Sequence, residues 1–568
     1  MSQKPRQLSP SSPLIPPKSP LYPNQGFKPI LFHHFPASNP NSRPCKLRCK
    51  LPNLASVNLD PEVNKIVTKR SSGRKLLRYT SKVEIRSSCP KIPAQLQTLI
   101  RNCKTYTVQS NNHLTKGNNI QGLIKAVKRT SSKNLEDLQI DSIHSVPNRI
   151  NIKRLFNLIC SRRKLQSLKL KINSHVNAKN LVNLQRAFSS LHHLQSLTLI
   201  TSNIPQNTNL LQETVNPLGC IVSAIRPIKE FNLRGYIAMS TCEDFSRVVD
   251  KLVQSGELEK VDLFLDTLDR LPASFYSLLA EKLGQIQCLK ALGINISGFI
   301  NQYLNNAFFM SLGKMQSLER LIIQAEKLNI GEDEMHVLFK SLAGLGHLKE
   351  FKMLSNMKAI NFSGQYYVSF REALQHMTQL EDFTYDLRNL GSGYFPYLFD
   401  HLPIFPRLKT LSLNLTIGEG DLGNVKFLSQ FLKHTKNLKT LSLKINDNDT
   451  NSCYTYQVPS EVFNILEEGL KAIPSLETFE LKLGSIEDHG LNRILLALDE
   501  LRDLKCLKLD AFFQGITYQA FGNLCYKLRG QQKRLREVQI APKYYPYSNY
   551  ELLDKVIHEI HSKRGRYV

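Results

Sequence analysis

The sequence predicts an α/β fold, a solenoid with a parallel sheet on one side and helices on the other, on two observations. An apolar residue followed at +3 and +5 by two more recurs fourteen times along the chain. Successive copies lie about 31 residues apart, and most of the segments between them carry the spacing of an amphipathic helix. Self-similarity at this period is typical of a solenoid, in which each unit stacks on its neighbours.

The strand pattern is clearest in LQSLKL (165–170) and LKTLSL (408–413). Because side chains alternate across a strand, we expect three apolar positions of each copy in the core and the positions between them outside it. A degenerate further copy is expected at Cys103, Tyr106 and Val108. The fourteen copies begin at Leu135, Leu165, Leu194, Ile228, Leu258, Leu289, Leu318, Leu348, Leu380, Leu408, Leu438, Leu476, Leu504 and Leu535.

Helical patterns between the strands complete the repeating unit. They include DFSRVVDKLVQ (244–254), EMHVLFKSLAGL (334–345) and EVFNILEEGLKAI (461–473). Each unit is therefore a strand, a loop and a helix. One repeat cannot bury either of its apolar faces alone, so neighbouring repeats are expected to stack around a continuous core.

The unit resembles the leucine-rich repeat superfamily over residues 135–540, and its helices and long period resemble the ribonuclease-inhibitor-like class. The resemblance implies a curved parallel sheet that lines a concave side, with helices outside. That family commonly places Asn at position 9 of the motif, where its side chain satisfies backbone groups in the turn. Only Asn173, Asn356 and Asn446 match here, so most turns are expected to be satisfied by other groups.

Composition divides the chain into four parts. Residues 1–60 are basic and rich in Pro and Ser, and we expect disorder there because they cannot bury enough apolar surface to repay ordering. Residues 61–134 are interpreted as a basic, partly helical lead-in with the degenerate repeat. The solenoid of about 14 repeats covers 135–541, and a helix within 542–568 is expected to cover its open end.

Positive charge is concentrated in the first third of the chain. The formal net charge is +28, and residues 1–212 contain 34 basic and 6 acidic residues, whereas 213–568 contain 41 of each. Such a region can bind a polyanion, draw an acidic protein or act as a nuclear import signal. The candidate residues are Lys69, Arg70, Arg74, Lys75, Arg78, Lys82, Arg162, Arg163 and Lys164.

Two alternative functions follow from this first third. Nucleic-acid association through residues 1–212 would be a contact to the phosphate backbone, since few aromatic side chains are available to stack on bases. In addition, KIPAQLQTLI (91–100) resembles the start of the F-box. Followed by leucine-rich repeats, that resemblance implies a ubiquitin-ligase adaptor.

No sequence motif supports catalysis, and we predict no catalytic, cofactor-binding or metal-binding residues and no cofactor. GEGDLG (418–423) matches the dinucleotide fingerprint, but every repeat runs strand, loop, helix, and Glu419 and Asp421 would repel a pyrophosphate. The eleven cysteines share no spacing, which indicates reduced thiols and a cytoplasmic or nuclear location. No apolar stretch is long enough for a transmembrane segment.

The predicted function is therefore a non-enzymatic protein-protein interaction scaffold that binds a protein partner on its concave face. That face is formed by positions 3, 5 and 7 of the motif, where basic and acidic residues are nearly equal in number. Apolar residues there are candidate anchors of the binding energy. The candidate partner-binding residues are Lys169, Lys171, Arg234, Lys260, Phe264, Arg320, Ile322, Lys352, Leu354, Asp382 and Asp386.

Overall fold

The computed structural model describes strands, helices and their short connections, all within one compact unit, 55–568. The described residues are 82–86, 105–109, 136–143, 157, 159, 161–162, 164–173, 185–202, 227–236, 242–254, 256–266, 273–295, 306–325, 332–355, 364–387, 405–416, 422–446, 458–513, 516–531, 533–543 and 550–562. Predictions for 1–81, including the disordered tail, and for 91–100 lie outside them.

Sixteen strands form one open, parallel sheet in which spatial order equals chain order. This is the arrangement that a stack of strand–loop–helix repeats produces. The strands are β1 Lys82–Arg86, β2 Thr105–Gln109, β3 Asp137–Ile143, β4 Ser167–Asn173, β5 Ser196–Ser202, β6 Glu230–Tyr236, β7 Lys260–Asp266, β8 Ala291–Asn295, β9 Arg320–Ala325, β10 Glu350–Ser355, β11 Asp382–Leu387, β12 Thr410–Thr416, β13 Thr440–Asn446, β14 Thr478–Ser485, β15 Cys506–Phe512 and β16 Glu537–Lys543.

From β6 onward, a described helix lies between each pair of successive strands except β11 and β12, whose connection is largely outside the described residues, and a last helix follows β16. They are α1 Cys242–Gln254, α2 Ala273–Leu283, α3 Asn306–Leu312, α4 Glu332–Leu342, α5 Gly364–His376, α6 Gly423–His434, α7 Ser460–Lys471, α8 Asp488–Glu500, α9 Tyr518–Gly530 and α10 Tyr550–Ser562. In α4, Met335, Leu338, Phe339 and Leu342 are buried, which is the spacing of one helix face.

The sheet begins two strands before Leu135, where the repeat pattern places the first copy. The degenerate copy at Tyr106 and Val108 is strand β2, which pairs in register with β3. A further strand, β1, pairs with β2 through Lys82↔Thr105. The repeat pattern does not predict β1, because KVEIR is short and basic, and the sheet therefore extends farther towards the N-terminus than residue 135.

Motif positions 1, 4 and 6 form the core, as the alternation predicts. From Leu165 to Val538, every described residue at these positions is at most 6% exposed, the largest value being that of Phe383. Each fully buried aliphatic side chain contributes about 1.5–3 kcal/mol, so stability accumulates with each repeat.

A further buried position lies three residues before the first motif position and was missed in the sequence. Leu191, Ile286, Met315 and Leu345 occupy it, each at most 5% exposed. The backbone N–H of position 1 donates to the carbonyl of this residue, for example Leu318 N to Met315 O at 3.0 Å. This backbone bond closes the turn from helix to strand without a side chain.

The C-terminal end of the core is covered by α10, which buries Leu553, Val556 and Ile560. Arg529 of α9 pairs with Glu559 of α10 at 3.6 Å. The last strand also contains Pro542, which lacks the N–H that a further strand would need at that point. The last strand is thus poorly suited to pairing with another chain.

Candidate functional site

The strand face is the side of the sheet formed by positions 3, 5 and 7, which alternate with the buried positions 4 and 6. All eleven predicted partner-binding residues lie on strands at these positions. They are Lys169 and Lys171 on β4, Arg234 on β6, Lys260 and Phe264 on β7, Arg320 and Ile322 on β9, Lys352 and Leu354 on β10, and Asp382 and Asp386 on β11.

A chain of ion pairs crosses the strand face from β7 to β11. Arg320 donates from Nη1 to Asp262 Oδ1 at 3.2 Å and from Nε to Glu350 Oε2 at 3.2 Å. Lys352 donates from Nζ to Glu350 Oε1 at 3.0 Å and to Asp382 Oδ2 at 2.7 Å. Both cations are thus held between two carboxylates. We call these five residues the strand-face network.

Within the network, Lys352 is half-buried but keeps its charge. Burial alone would lower the pKa of Lys352, but hydrogen bonds to Asp382 and Glu350 outweigh it and leave that pKa above its usual value. Asp262 is only 2% exposed, with Arg320 at 3.2 Å and Lys260 at 3.9 Å. A buried carboxylate needs such partners, because an unpaired charge there would be costly.

Gly293 on β8 makes room for the contact between Arg320 and Asp262, which lie on the two flanking strands. A Cβ on Gly293 would lie 2.4 Å from Asp262 Oδ1 and 3.0 Å from Phe264 Cζ. Glycine within a strand often marks such a close approach. Sequence reasoning passed over Gly293, and also over the roles of Asp262 and Glu350. The available signal was the opposite charges at matching positions of neighbouring strands.

Apolar side chains lie beside the network. The guanidinium of Arg234 lies over the Phe264 ring, 5.1 Å from its centroid. Ile322 is half-buried, and Leu354 is 40% exposed, a large fraction for a leucine within a sheet. Arg234, Phe264, Ile322 and Leu354 span β6 to β10, whereas Lys169 and Lys171 lie farther back on β4.

The polyanion candidates are not one surface in the described part of the chain. Lys82 lies in β1, and Lys164 is exposed. Arg162 is 3% exposed, so its assignment as a polyanion contact is wrong. It occupies the buried position three residues before Leu165, and burial lowers its pKa. Lys69, Arg70, Arg74, Lys75, Arg78 and Arg163 lie outside the described residues.

A second row of ion pairs, also missed in the sequence, runs along position 2 of the motif. Lys290 contacts Glu259 at 3.1 Å, and the equivalent pairs of later repeats are Lys349 with Glu319 at 2.7 Å and Lys409 with Glu381 at 2.7 Å. These side chains are about half exposed, so each pair contributes little to stability. Because these pairs recur at the same motif position, the acidic and basic residues there join neighbouring repeats to each other.

The described residues include only part of the GEGDLG motif. Gly423 begins α6, while Gly418 and Gly420 lie outside them. Within the described part of the chain, no group of three or more His, Cys, Asp or Glu side chains could hold a metal ion. Cys288, Cys506 and Cys525 are free thiols, and burial raises the pKa of Cys506 and of Cys525.

The architecture is that of a leucine-rich repeat solenoid, an open parallel sheet with helices between its strands. No family model and no curated protein sequence matches the chain. Among solved structures it is similar to the Rad7–Elc1 complex of yeast, at 15% identity and TM-score 0.36, covering 66% of this chain and 86% of that one.

Two further structures give similar values. One is a protein from Bacteroides fragilis, at 13% identity and TM-score 0.28, covering 63% of this chain and 78% of that one. The other is TLR13 in complex with ssRNA13, at 13% identity and TM-score 0.29, covering 78% of this chain and 75% of that one. The fold class therefore rests on this chain's own repeat, sheet and core. None of the described helices is long and apolar enough to cross a membrane.

Proposed function

We propose that the chain is a non-enzymatic scaffold that binds a protein partner on its strand face. The observation that carries the proposal is the combination of Leu354, 40% exposed, with the strand-face network beside it. Apolar side chains next to charges that are already fixed are typical of protein-binding surfaces, in which a few anchors supply most of the affinity.

The size of the strand face supports the same function. Sixteen strands at about 4.8 Å spacing extend for about 70 Å along the sheet, enough for a folded partner. Cations that are paired with carboxylates add specificity and orientation more than affinity. We therefore assign the binding energy to the apolar side chains and the selectivity to the network.

Nucleic-acid association through residues 1–212 and an F-box-like adaptor role stay alternative functions, since the described residues include little of the segments on which they depend. The cations proposed for nucleic acid lie mostly outside the described residues, and Arg162 is buried. The segment that resembles the F-box, 91–100, also lies outside them. We place the scaffold in the cytoplasm or nucleus, which the free thiols at Cys288, Cys506 and Cys525 support.

The test is affinity purification with the full chain and with two variants. Leu354→Asp places a charge among the apolar anchors and should remove a specific partner. Leu496→Asp makes the same change on α8, away from the strand face, at a residue that is 45% exposed. We expect the partner with the native chain and with Leu496→Asp, and not with Leu354→Asp. A partner retained by Leu354→Asp and lost by Leu496→Asp would place recognition on the helices.

The full chain is needed because β1 and β2 belong to the sheet. A chain that starts near Leu135 would remove both strands and expose the edge of β3. Salt dependence then separates protein from polyanion binding, since contacts to phosphates weaken steeply as salt rises.

A further inference from the structure

The turns that lead into the last five strands carry an excess of positive charge. We define the turn edge of β12–β16 as the residues before each of these strands up to motif position 2. They are 405–409, 435–439, 473–477, 501–505 and 533–536. The turn edge contains nine lysine or arginine residues and only two carboxylates, those of Glu477 and Asp503.

The equivalent turns of the five preceding strands are different. Before β7–β11, the residues 256–259, 286–290, 315–319, 345–349 and 377–381 contain two cations and four carboxylates. The helix ends beside the turn edge do not neutralise it, since the last four residues of α6–α9 contain four cations and three carboxylates. The positive charge is therefore concentrated in the C-terminal turns, although acidic and basic residues balance from residue 213 onward.

Ion pairs compensate only a small part of this charge. Glu477 is shared by two cations, Lys505 Nζ at 2.5 Å and Lys439 Nζ at 3.4 Å. Hydrogen bonds from both lysines hold the pKa of Glu477 below its usual value, so it stays a carboxylate. Lys409 contacts Glu381 of the preceding repeat at 2.7 Å. Three lysines at motif position 2 thus share two carboxylates.

The other cations of the turn edge form no ion pair within the described part of the chain. Arg407 Nη1 donates to Gln379 Oε1, and Arg534 Nη1 donates to the carbonyl oxygen of Leu501 at 3.4 Å. Both acceptors are neutral, so both guanidinium groups keep an uncompensated charge. The remaining cations are exposed, and they are Lys436, Arg502, Lys533 and Arg536.

The side chains of the turn edge favour one class of polyanion. Its leucine, isoleucine and phenylalanine residues are buried, and its exposed apolar residues are Pro406 and Pro474. A protein partner would lack a large apolar anchor there, and unpaired bases would find no aromatic ring on which to stack. The backbone of a duplex requires only cations, because its bases are already stacked and paired.

We propose that the turn edge of β12–β16 binds the phosphate backbone of a duplex nucleic acid without reading its sequence. Four strand steps of about 4.8 Å give the turn edge a length of about 19 Å. Duplex DNA carries one charge per about 1.7 Å, or about eleven phosphates over that length. This inference goes beyond the proposed function, since no residue of the turn edge belongs to the strand face.

The experiment measures, by fluorescence anisotropy, the binding of a labelled duplex of about 20 base pairs to the full chain between about 50 and 200 mM salt. Contact with about five phosphates predicts a slope of log affinity against log salt near −4.5, which is about a 500-fold loss of affinity over this range. Two duplexes of different sequence should bind within about twofold of each other.

The turn-edge variant combines four substitutions, and we expect its binding at low salt to weaken at least about tenfold. They are Lys436→Gln, Arg502→Gln, Lys533→Gln and Arg536→Gln. A charge-conserving variant controls for folding and should bind within about twofold of the native chain. It combines Lys436→Arg, Arg502→Lys, Lys533→Arg and Arg536→Lys.

A matched control removes the same charge from exposed lysines elsewhere, and it should also bind within about twofold of the native chain, because salt screens distant charges. It combines Lys251→Gln, Lys314→Gln, Lys340→Gln and Lys426→Gln. Leu354→Asp on the strand face should leave duplex binding unchanged, which separates this inference from the proposed function.

Several outcomes overturn the inference. No duplex binding at low salt, or equal binding by the turn-edge variant and the native chain, would remove the turn edge as a nucleic-acid site and leave strand-face recognition untouched. Tighter binding of single-stranded DNA or of polyglutamate than of the duplex would reject the class of partner. A loss as large in the matched control as in the turn-edge variant would show that net charge, rather than the turn edge, determines binding.

Discussion

At Gly293, the space above β8 is taken by groups from the neighbouring strand. Asp262 Oδ1 and the Phe264 ring both lie where a Cβ would be, and Arg320 reaches Asp262 from the strand on the other side. Other repeats place lysine, threonine, serine or isoleucine at the same motif position. The repeat itself therefore does not require glycine there, and the strand-face network does.

Gly293→Ala should destabilise the chain by about 1–3 kcal/mol, because the added methyl group forces Asp262 or Phe264 to move. Gly522 in α9 is the control, since a Cβ there meets nothing within 4 Å. Gly522→Ala should stabilise the helix by about 0.5–1 kcal/mol. Urea unfolding of the three proteins measures both effects. Equal stability of Gly293→Ala and the native chain would show that Asp262 and Phe264 can move away from the methyl group at no cost.

Arg162 is a second residue that differs from the residues at the same position of other repeats. It lies at a position where other repeats bury Leu191, Ile286 or Met315, and burial lowers its pKa. Arg162→Met should be neutral or stabilise the fold by about 1 kcal/mol, because a buried charge is replaced by a side chain typical of the site. The unfolding midpoint is the measurement. A loss above about 2 kcal/mol would mean that the native contacts of the guanidinium outweigh its desolvation.

At the scale of elements, neighbouring helices are joined by a buried carboxylate. Glu467 on α7 accepts from Lys471 Nζ at 2.5 Å and from Arg493 Nη1 of α8 at 3.2 Å, and its side chain is 7% exposed. Burial would raise the pKa of Glu467, but the hydrogen bonds from Lys471 and Arg493 outweigh it and lower that pKa. The charged form is therefore favoured in the folded state.

Glu467→Gln should lower the free energy of unfolding by about 1–2 kcal/mol at pH 7, because both ion pairs are lost. The loss stays small because Lys471 and Arg493 remain partly hydrated without their partner. A carboxylate with a lowered pKa stabilises the fold above its unfolded pKa, about 4.3, and that contribution is lost as pH falls through the folded pKa. The difference between native and variant stability should thus shrink below about pH 4. Glu468→Gln, at a 69% exposed neighbour, is the control. A difference that is constant with pH would contradict the ion-pair account.

Much of the element structure could be predicted from the sequence, for reasons that particular residues show. Leu348, Phe351 and Met353 are separated by polar residues and are buried. Such alternation is visible in the local sequence, so it predicts directly which side chains are buried. The helix predicted to end at 345 ends at Leu342, because the next residues form the turn that leads to the strand. The strand β1 was missed because its placement depends on pairing with β2 rather than on its own pattern.

The strand face was harder to predict than the core. Positions 3, 5 and 7 identify Arg320 and Lys352 as outward residues, but not that each is shared between two carboxylates. Which charges pair depends on side-chain reach across strands and on the space above Gly293. These are three-dimensional properties that motif spacing does not contain.

For the whole molecule, stability should decrease towards the ends of the solenoid. Each repeat contacts mainly its neighbours, so a terminal repeat has one interface where an internal repeat has two. The helix α10 supplies the missing interface at the C-terminus through Leu553, Val556 and Ile560.

Ending the chain at residue 549 removes α10 and should expose the last repeat. We expect faster amide hydrogen exchange in β15 and β16 and unchanged exchange in β9 and β10, because openings in a solenoid remain local. Hydrogen exchange followed by mass spectrometry measures both regions at once. Loss of protection throughout the sheet would show instead that the solenoid unfolds as one cooperative unit.

The central claim is that recognition occurs on the strand face, and site-specific photo-crosslinking tests it most directly. A photoreactive amino acid replaces Leu354 on the strand face in one protein and Leu496 on α8 in another, at similar exposures of 40% and 45%. Recognition on the strand face predicts a discrete crosslinked protein from position 354 and none from position 496. A discrete product from position 496 with none from position 354 would contradict it.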